Sequence, residues 1–228
     1  MRVPPRHRNN FTVVLFSTEE ESVKWDKGNR ANIHIYTDSS GLKGKAGMAA
    51  ILFQGNAAPK SLWYHLGSLN KHTTFEVEMV RLILGAHLLS VELHPSTITI
   101  SSDSQATLLA LNICNPWAGQ QLIDEFLCTA RHIHSLATPG DYSLELTWVK
   151  GHVDSIGNGL ADEEAWATMA DNTNPVADLP SFLSSTLLPI SSSASKQKYV
   201  QELKAQWKYN WACSPHFSKL SKIDPTMP

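Results

Sequence analysis

Between residues 31 and 170 the apolar positions switch between a period of two and a period near 3.6, which predicts strands interleaved with helices. Alternation predicts strands at Ile33 to Thr37, Gly47 to Phe53 and Ser61 to Leu66, joined by short turns containing Gly or Pro as in a meander. A helix follows over Thr74 to Leu89, with Met79, Leu82, Ile83, Ala86 and Leu89 on one face. TITISS, at Thr97 to Ser102, alternates again, and Asp103-Ser104 opens a helix running to about Ile113. Past the break at Asn115-Pro116 come a helix over Gly119 to Leu136, a strand at Leu144 to Val149 and a helix over Asn158 to Met169.

The resulting order, βββαβααβα, predicts an α/β fold. Its sheet is mixed and five-stranded, with three antiparallel strands plus two parallel additions, and helices flank it. A helical crossover from the meander to TITISS makes that strand a parallel neighbour of the first. Asp38 and Asp103 then sit at the carboxyl ends of adjacent strands. Each has the parity opposite to the isoleucines of its strand, so both can project from one sheet face, where open α/β sheets place ligands. Residues 1–30 read as an N-terminal extension and 31–170 as the main domain. Residues 171–228 read as a linker, marked by SSSAS at 191–195, and a helical tail over Lys196 to Trp211 whose Tyr199, Leu203, Trp207 and Trp211 stripe suggests a packing face.

Composition narrows the class. With 42% hydrophobic and 18% charged residues the chain has the makeup of a soluble globular protein. No apolar run is long enough to span a bilayer and the N-terminus lacks the apolar core of a secretory signal. No membrane partner and an intracellular location, nuclear or cytoplasmic, are therefore expected. Cys114, Cys128 and Cys213 are far apart and odd in number, which argues against a disulfide framework or a thiolate zinc site. The central region carries seven Lys and Arg against thirteen Asp and Glu, while each flank is net +2. That centre lacks the clustered cations that phosphate binding normally requires, unless bound metal ions reverse the local sign.

Each acid that stands out also has a plain explanation. Asp38, in YTDSSG, suits a turn; Asp103 suits a helix N-cap; Asp162 suits the first turn of a helix, where the macrodipole favours an anion. Thr73-x-x-Glu76 fits a capping box, which gives Glu76 a structural task and leaves Glu78, beside the apolar stripe, without one. Taken together, Asp38, Glu78, Asp103 and Asp162 would converge on one sheet edge and repel one another unless cations sat among them. Hard divalent ions with oxygen ligands answer that need, and would also attract a phosphodiester.

These same residues resemble the type 1 ribonuclease H family, in the compact variety found in non-LTR retroelement polyproteins. The resemblance lies in YTDSS with Asp38, TTFEVEM with Glu78, SDS with Asp103, and WVKGHVDSIGNGLADEEA with His152, Asn158 and Asp162. It implies an endonuclease that hydrolyses the RNA strand of RNA/DNA hybrids by a two-metal-ion mechanism, leaving 5′-phosphate and 3′-hydroxyl ends. Asp38, Glu78, Asp103 and Asp162 would hold two Mg²⁺ ions, with Mn²⁺ as a substitute, and His152 would assist proton transfer or product release. Ser39, Ser40, Thr74, Ser104 and Asn158 would contact substrate. The remainder of a retroelement polyprotein is an implied further partner.

Two departures from the family pattern stand out. Ser39 replaces the Gly that usually follows the first Asp, and the stretch from Asn112 to Gly119 is too short for the extra basic helix of bacterial members. The rival readings are a catalytically silent nucleic-acid-binding or connection module, and a structural domain whose caps imitate the motifs.

Overall fold

The computed structural model describes residues 9–42, 44–92, 95–112, 119–138, 140–151, 156–168, 173–184 and 188–223. Its sheet contains β1 (Thr12–Val14), β2 (Ile33–Leu42), β3 (Lys45–Gln54), β4 (Lys60–Ser68), β5 (Thr97–Ser102) and β6 (Ser143–Trp148). The spatial order is β1-β6-β5-β2-β3-β4, antiparallel across β2, β3 and β4 and parallel across β2–β5, β5–β6 and β6–β1. The mixed architecture and the parallel pairing of TITISS with the first meander strand are as expected.

The expected count of five strands is corrected to six. Three residues of TVV are too few to show a period, yet they pair with Glu145 to Thr147 and extend the sheet into the N-terminal region. The helix α1 (Glu19–Gly28) also falls there, capped by Thr18, whose side chain accepts from Glu21 N. Its buried Ser22 accepts from Lys150 N and donates to Trp148 O, each at 3.3 Å, so the N-terminal region fastens the end of β6.

The first strand is also longer than its alternation indicated. DSSG is not a turn: β2 continues through it, with Asp38 opposite Ala49 and Leu42 opposite Lys45. The chain reverses between Leu42 and Lys45, where Gly44 takes φ of 76°. Pairing with β5 stops earlier, at Tyr36 and Ser101. Beyond that point β2 and β5 part, and the gap between them opens at Thr37, Asp38, Ser102 and Asp103.

The helix α2 (Thr74–Ser90) crosses one sheet face. A Cβ on Gly85 would lie 3.0 Å from the methyl groups of both Ile35 and Thr37, so only glycine permits this approach without a shift. Glu78, Arg81 and Gly85 recur at helical spacing on the side facing the sheet. The remaining main-body helices are α3 (Gln105–Asn112), α4 (Gln120–Leu136) and α5 (Ile156–Ala167). α5 covers the opposite face, with buried Ala161 and Ala165.

After α5 come a 3₁₀ turn at Val176–Asp178 and α6 (Ser181–Ser184). Leu179, Leu183 and Leu188 belong to the core, and residues 173–174 bond along β4, with Trp63 N donating to Asn174 Oδ1 at 2.7 Å and His65 N to Thr173 Oγ1 at 3.0 Å. SSSAS is not a linker. Ser191 caps α7 (Ser192–Ala212) and its N–H donates to Lys71 O at 2.8 Å. The aromatic stripe does not form a packing face either: Tyr199, Leu203 and Trp207 are exposed, and only Trp211 meets another ring, that of Phe217 at the start of α8 (Phe217–Leu220). Among the described residues no helix is long and apolar enough to cross a membrane.

Candidate active site

Where β2 and β5 separate, the gap is filled from α2. Arg81 is fully buried, and its guanidinium contacts three of the acids singled out in the sequence. Nη1 donates to Asp38 Oδ1 at 3.3 Å and to Thr37 O at 3.4 Å. Nη2 donates to Ser102 Oγ at 3.2 Å and to Asp103 Oδ1, and is in ion-pair contact with Glu78 Oε2. Ser39 links two of the acids, because its N–H donates to Asp38 Oδ1 at 2.7 Å and its hydroxyl to Glu78 Oε1 at 3.3 Å.

The plain explanations for these acids fall away one by one. The capping box forms at Glu76, whose Oε2 accepts from Thr73 N at 2.7 Å, and Glu78 is left to the cluster. Asp103 does not cap α3; Ser104 lies in that position, accepting from Thr107 N at 3.4 Å. Asp162 lies beyond the first turn of α5, which starts at Ile156 rather than at Asn158 and has no acid in that turn, so the macrodipole does not account for it.

Burial is the main force on the protonation of the cluster. It pushes Asp38 up to about 6, against the pull of the Arg81 guanidinium and the Ser39 N–H, with the charges of Asp103 and Asp162 adding to the rise. Glu78 is pushed up to about 7 for the same reasons, burial first, opposed by Arg81 and assisted by Asp103. Burial thus outweighs the pull of the single guanidinium on both carboxyls, and one cation faces three carboxylates. Asp38 Oδ2 is buried without a hydrogen-bond partner. Hard oxygen donors with spare capacity and a charge deficit suit a divalent cation such as Mg²⁺. Among the described residues, however, no three His, Cys, Asp or Glu side chains stand close enough to cradle an ion as they are. The guanidinium spans the space between Asp38, Glu78 and Asp103.

The other sequence candidates are less gathered. Asp162 is half-buried on α5 and reaches Asp38 through its charge. Ser40 is half-buried on β2 opposite Gly47, and Thr74, the first residue of α2, is exposed. Asn158 lies on α5 and its side chain falls outside the described set, as does the whole of His152. The loop leading to His152 passes close to the cluster, for a Cβ on Gly151 would sit 2.8 Å from Asp103 Oδ2. Gly157 has the same kind of reason, since a Cβ there would penetrate the Tyr36 ring at 2.2 Å. Close approach accounts for both glycines.

Arg81 is the participant that sequence reasoning passed over. Its signal was a lone cation inside the apolar run MVRLILG, three residues after Glu78 and four before Gly85.

The RNase H family profile matches residues 30–170. No curated protein matches the sequence significantly. Among solved structures, RNase H1 from the halophilic archaeon Halobacterium salinarum aligns at 17% identity over 61% of this chain and 98% of its own, with a TM-score of 0.45. LC11-RNase H1, solved in complex with an RNA/DNA hybrid, aligns at 18% identity over 58% and 92%, with a TM-score of 0.41. The PFV RNase H domain aligns at 21% over 62% and 96%, with a TM-score of 0.44. The family match takes in well over half of the 228 residues and every acid of the cluster, and on that ground the chain belongs to the RNase H family.

Proposed function

We propose that the protein is a divalent-metal-dependent endonuclease that cuts the RNA strand of RNA/DNA hybrids, leaving 5′-phosphate and 3′-hydroxyl ends. The observation that carries this reading is the gathering of Asp38, Glu78 and Asp103 at the parting of β2 and β5, in a chain of this family. Asp38, Glu78, Asp103 and Asp162 would hold two Mg²⁺ ions, or Mn²⁺, which when bound supply an activated water and charge stabilisation on both sides of the scissile phosphate. Ser39 orients Asp38 and Glu78 through its N–H and hydroxyl, so the residue that replaces the family's glycine takes a positioning role here. His152 would move a proton or assist product release from the loop that follows Gly151. Ser40, Thr74, Ser104 and Asn158 would meet the hybrid.

The short interval between the end of α3 at Asn112 and the start of α4 at Gln120 supports reading the chain as the compact variety. A retroelement polyprotein is the context we infer for it.

A second reading is favoured by one observation. Arg81 already supplies the cluster with a cation, as a catalytically silent binding module would need. Incubation with labelled RNA/DNA hybrid, double-stranded RNA and double-stranded DNA, with Mg²⁺ and with EDTA, separates the two. Only the RNA of the hybrid should be cut, and only with Mg²⁺. Glu78→Gln should lower the rate by about 10²-fold or more, while Glu76→Gln, which alters only the cap, should cut at close to the wild-type rate. Hybrid that is bound but never cut would establish the silent module.

A further inference from the structure

Buried arginines in settled structural roles use their planar fork fully, with each N–H aimed at its own acceptor. Arg81 does not. Its Nη2 has two N–H groups but three oxygen neighbours, those of Ser102, Glu78 and Asp103. Its Nε is buried with no hydrogen-bond partner, and so is Asp38 Oδ2 across the cluster. The two N–H groups of Nη2 go to Ser102 and Asp103, which leaves Glu78 Oε2 in ion-pair contact but without a hydrogen bond, so one guanidinium donor and two carboxylate oxygens of the cluster are idle. This is a cation shared among ligands that have capacity to spare.

The same two carboxylates that Nη2 serves, Glu78 and Asp103, are among those assigned above to the metal ions. Resting on that reading, we propose that Arg81 is a built-in competitor for the divalent metal, and that loading the site requires its guanidinium to give up Glu78 and Asp103. A tethered cation is present at every encounter, whereas an ion must arrive from solution, so the tether lowers the apparent metal affinity of the cluster. It also gives the chain a way to hold these acids together when metal is scarce. A buried carboxylate cluster with no cation would be strained by repulsion and desolvation.

The test measures metal binding and not turnover. Mn²⁺ and Mg²⁺ are titrated calorimetrically into the full chain and into Arg81→Met, which keeps the length and removes the charge. Binding should tighten about tenfold or more in the variant, because charge-assisted contacts no longer have to be broken. In the unmutated chain the ¹⁵N signal of the Arg81 side chain should move during the Mg²⁺ titration with the same midpoint as the heat. Equal affinities in the two proteins overturn the proposal, as does an Arg81 signal that stays fixed while Mg²⁺ saturates.

Should Arg81→Met not fold, Arg81→Lys carries the comparison. Its ammonium engages fewer of the carboxylate oxygens at once, so a smaller tightening is expected, and an unchanged affinity overturns the proposal. Binding in the variant but not in the wild type would be its strongest support; binding in neither would end it. Hybrid cleavage is read separately. A chain that cuts hybrids with Mg²⁺ yet binds the ion as Arg81→Met does keeps the hydrolase function and loses the competitor.

Discussion

At neutral pH a carboxyl that titrates near 7 is divided between its charged and neutral forms, and burial puts Glu78 in that position. Its folded pKa lies above its ordinary value of 4.5, so the folded chain keeps a proton that the unfolded chain releases. The stability this provides is complete below about 4.5 and is lost as pH rises through about 7. Asp38 behaves alike between its ordinary 3.8 and about 6. His72 and His87, whose burial lowers their pKa, work with the opposite sign below their ordinary 6.5. The comparison is therefore between wild type and Glu78→Gln in metal-free urea denaturation from pH 4.5 to 8. The stability of wild type minus that of the variant should fall across this range; a difference that is flat or rises would contradict a raised Glu78. The convergence of Asp38, Glu78 and Asp103 was legible in the sequence because each sits at the end of an element or in a motif. Arg81 was not, because a charge inside an apolar helical run looks like a surface residue until the third dimension encloses it.

Among the elements, legibility followed length. Helix α2 and the alternating parts of β2 to β6 repeat their pattern often enough to be read from spacing alone. Two features did not repeat: the three residues of β1, and Asp38 to Leu42, where the composition of a turn concealed four further strand pairings after Asp38. That continuation matters because it keeps Asp38 inside a paired strand on the β3 side while the β5 side opens to Arg81. The distance of α2 from the sheet sets how far Arg81 reaches into that opening, and Gly85 sets the distance. Gly85→Ala would place a methyl 3.0 Å from two β-branched side chains that have little freedom to move. Overpacking costs about 1–3 kcal/mol and alanine returns up to about 1 kcal/mol of helix propensity. A net loss of about 1 kcal/mol is expected in urea titrations. A stabilised variant would show that the contact between α2 and the sheet is looser than these distances indicate.

For the molecule as a whole, the part matched by the family is not the part that is packed. Leu179, Leu183 and Leu188 lie beyond residue 170 and are buried in the common core, whereas most of α7 stands exposed. Truncation after residue 191 should leave the melting temperature within a few degrees of the full chain. Truncation after residue 170 should lower it much further, since each buried leucine contributes about 1.5–3 kcal/mol. Equal melting of the two truncated forms, measured by calorimetry, would mean that the leucines past residue 170 contribute little.

The strand β4 is the outer member of the sheet on its side, nine residues long, and residues 173–174 close part of its open flank through the backbone of Trp63 and the N–H of His65. An uncovered strand of that length is a template on which a second chain can add by backbone pairing. Cutting the protein back to the length of its family match would therefore do more than weaken it. It would uncover the N–H and carbonyl of Trp63 and the N–H of His65, and the trimmed protein would tend to self-associate edge to edge while its interior was still folded.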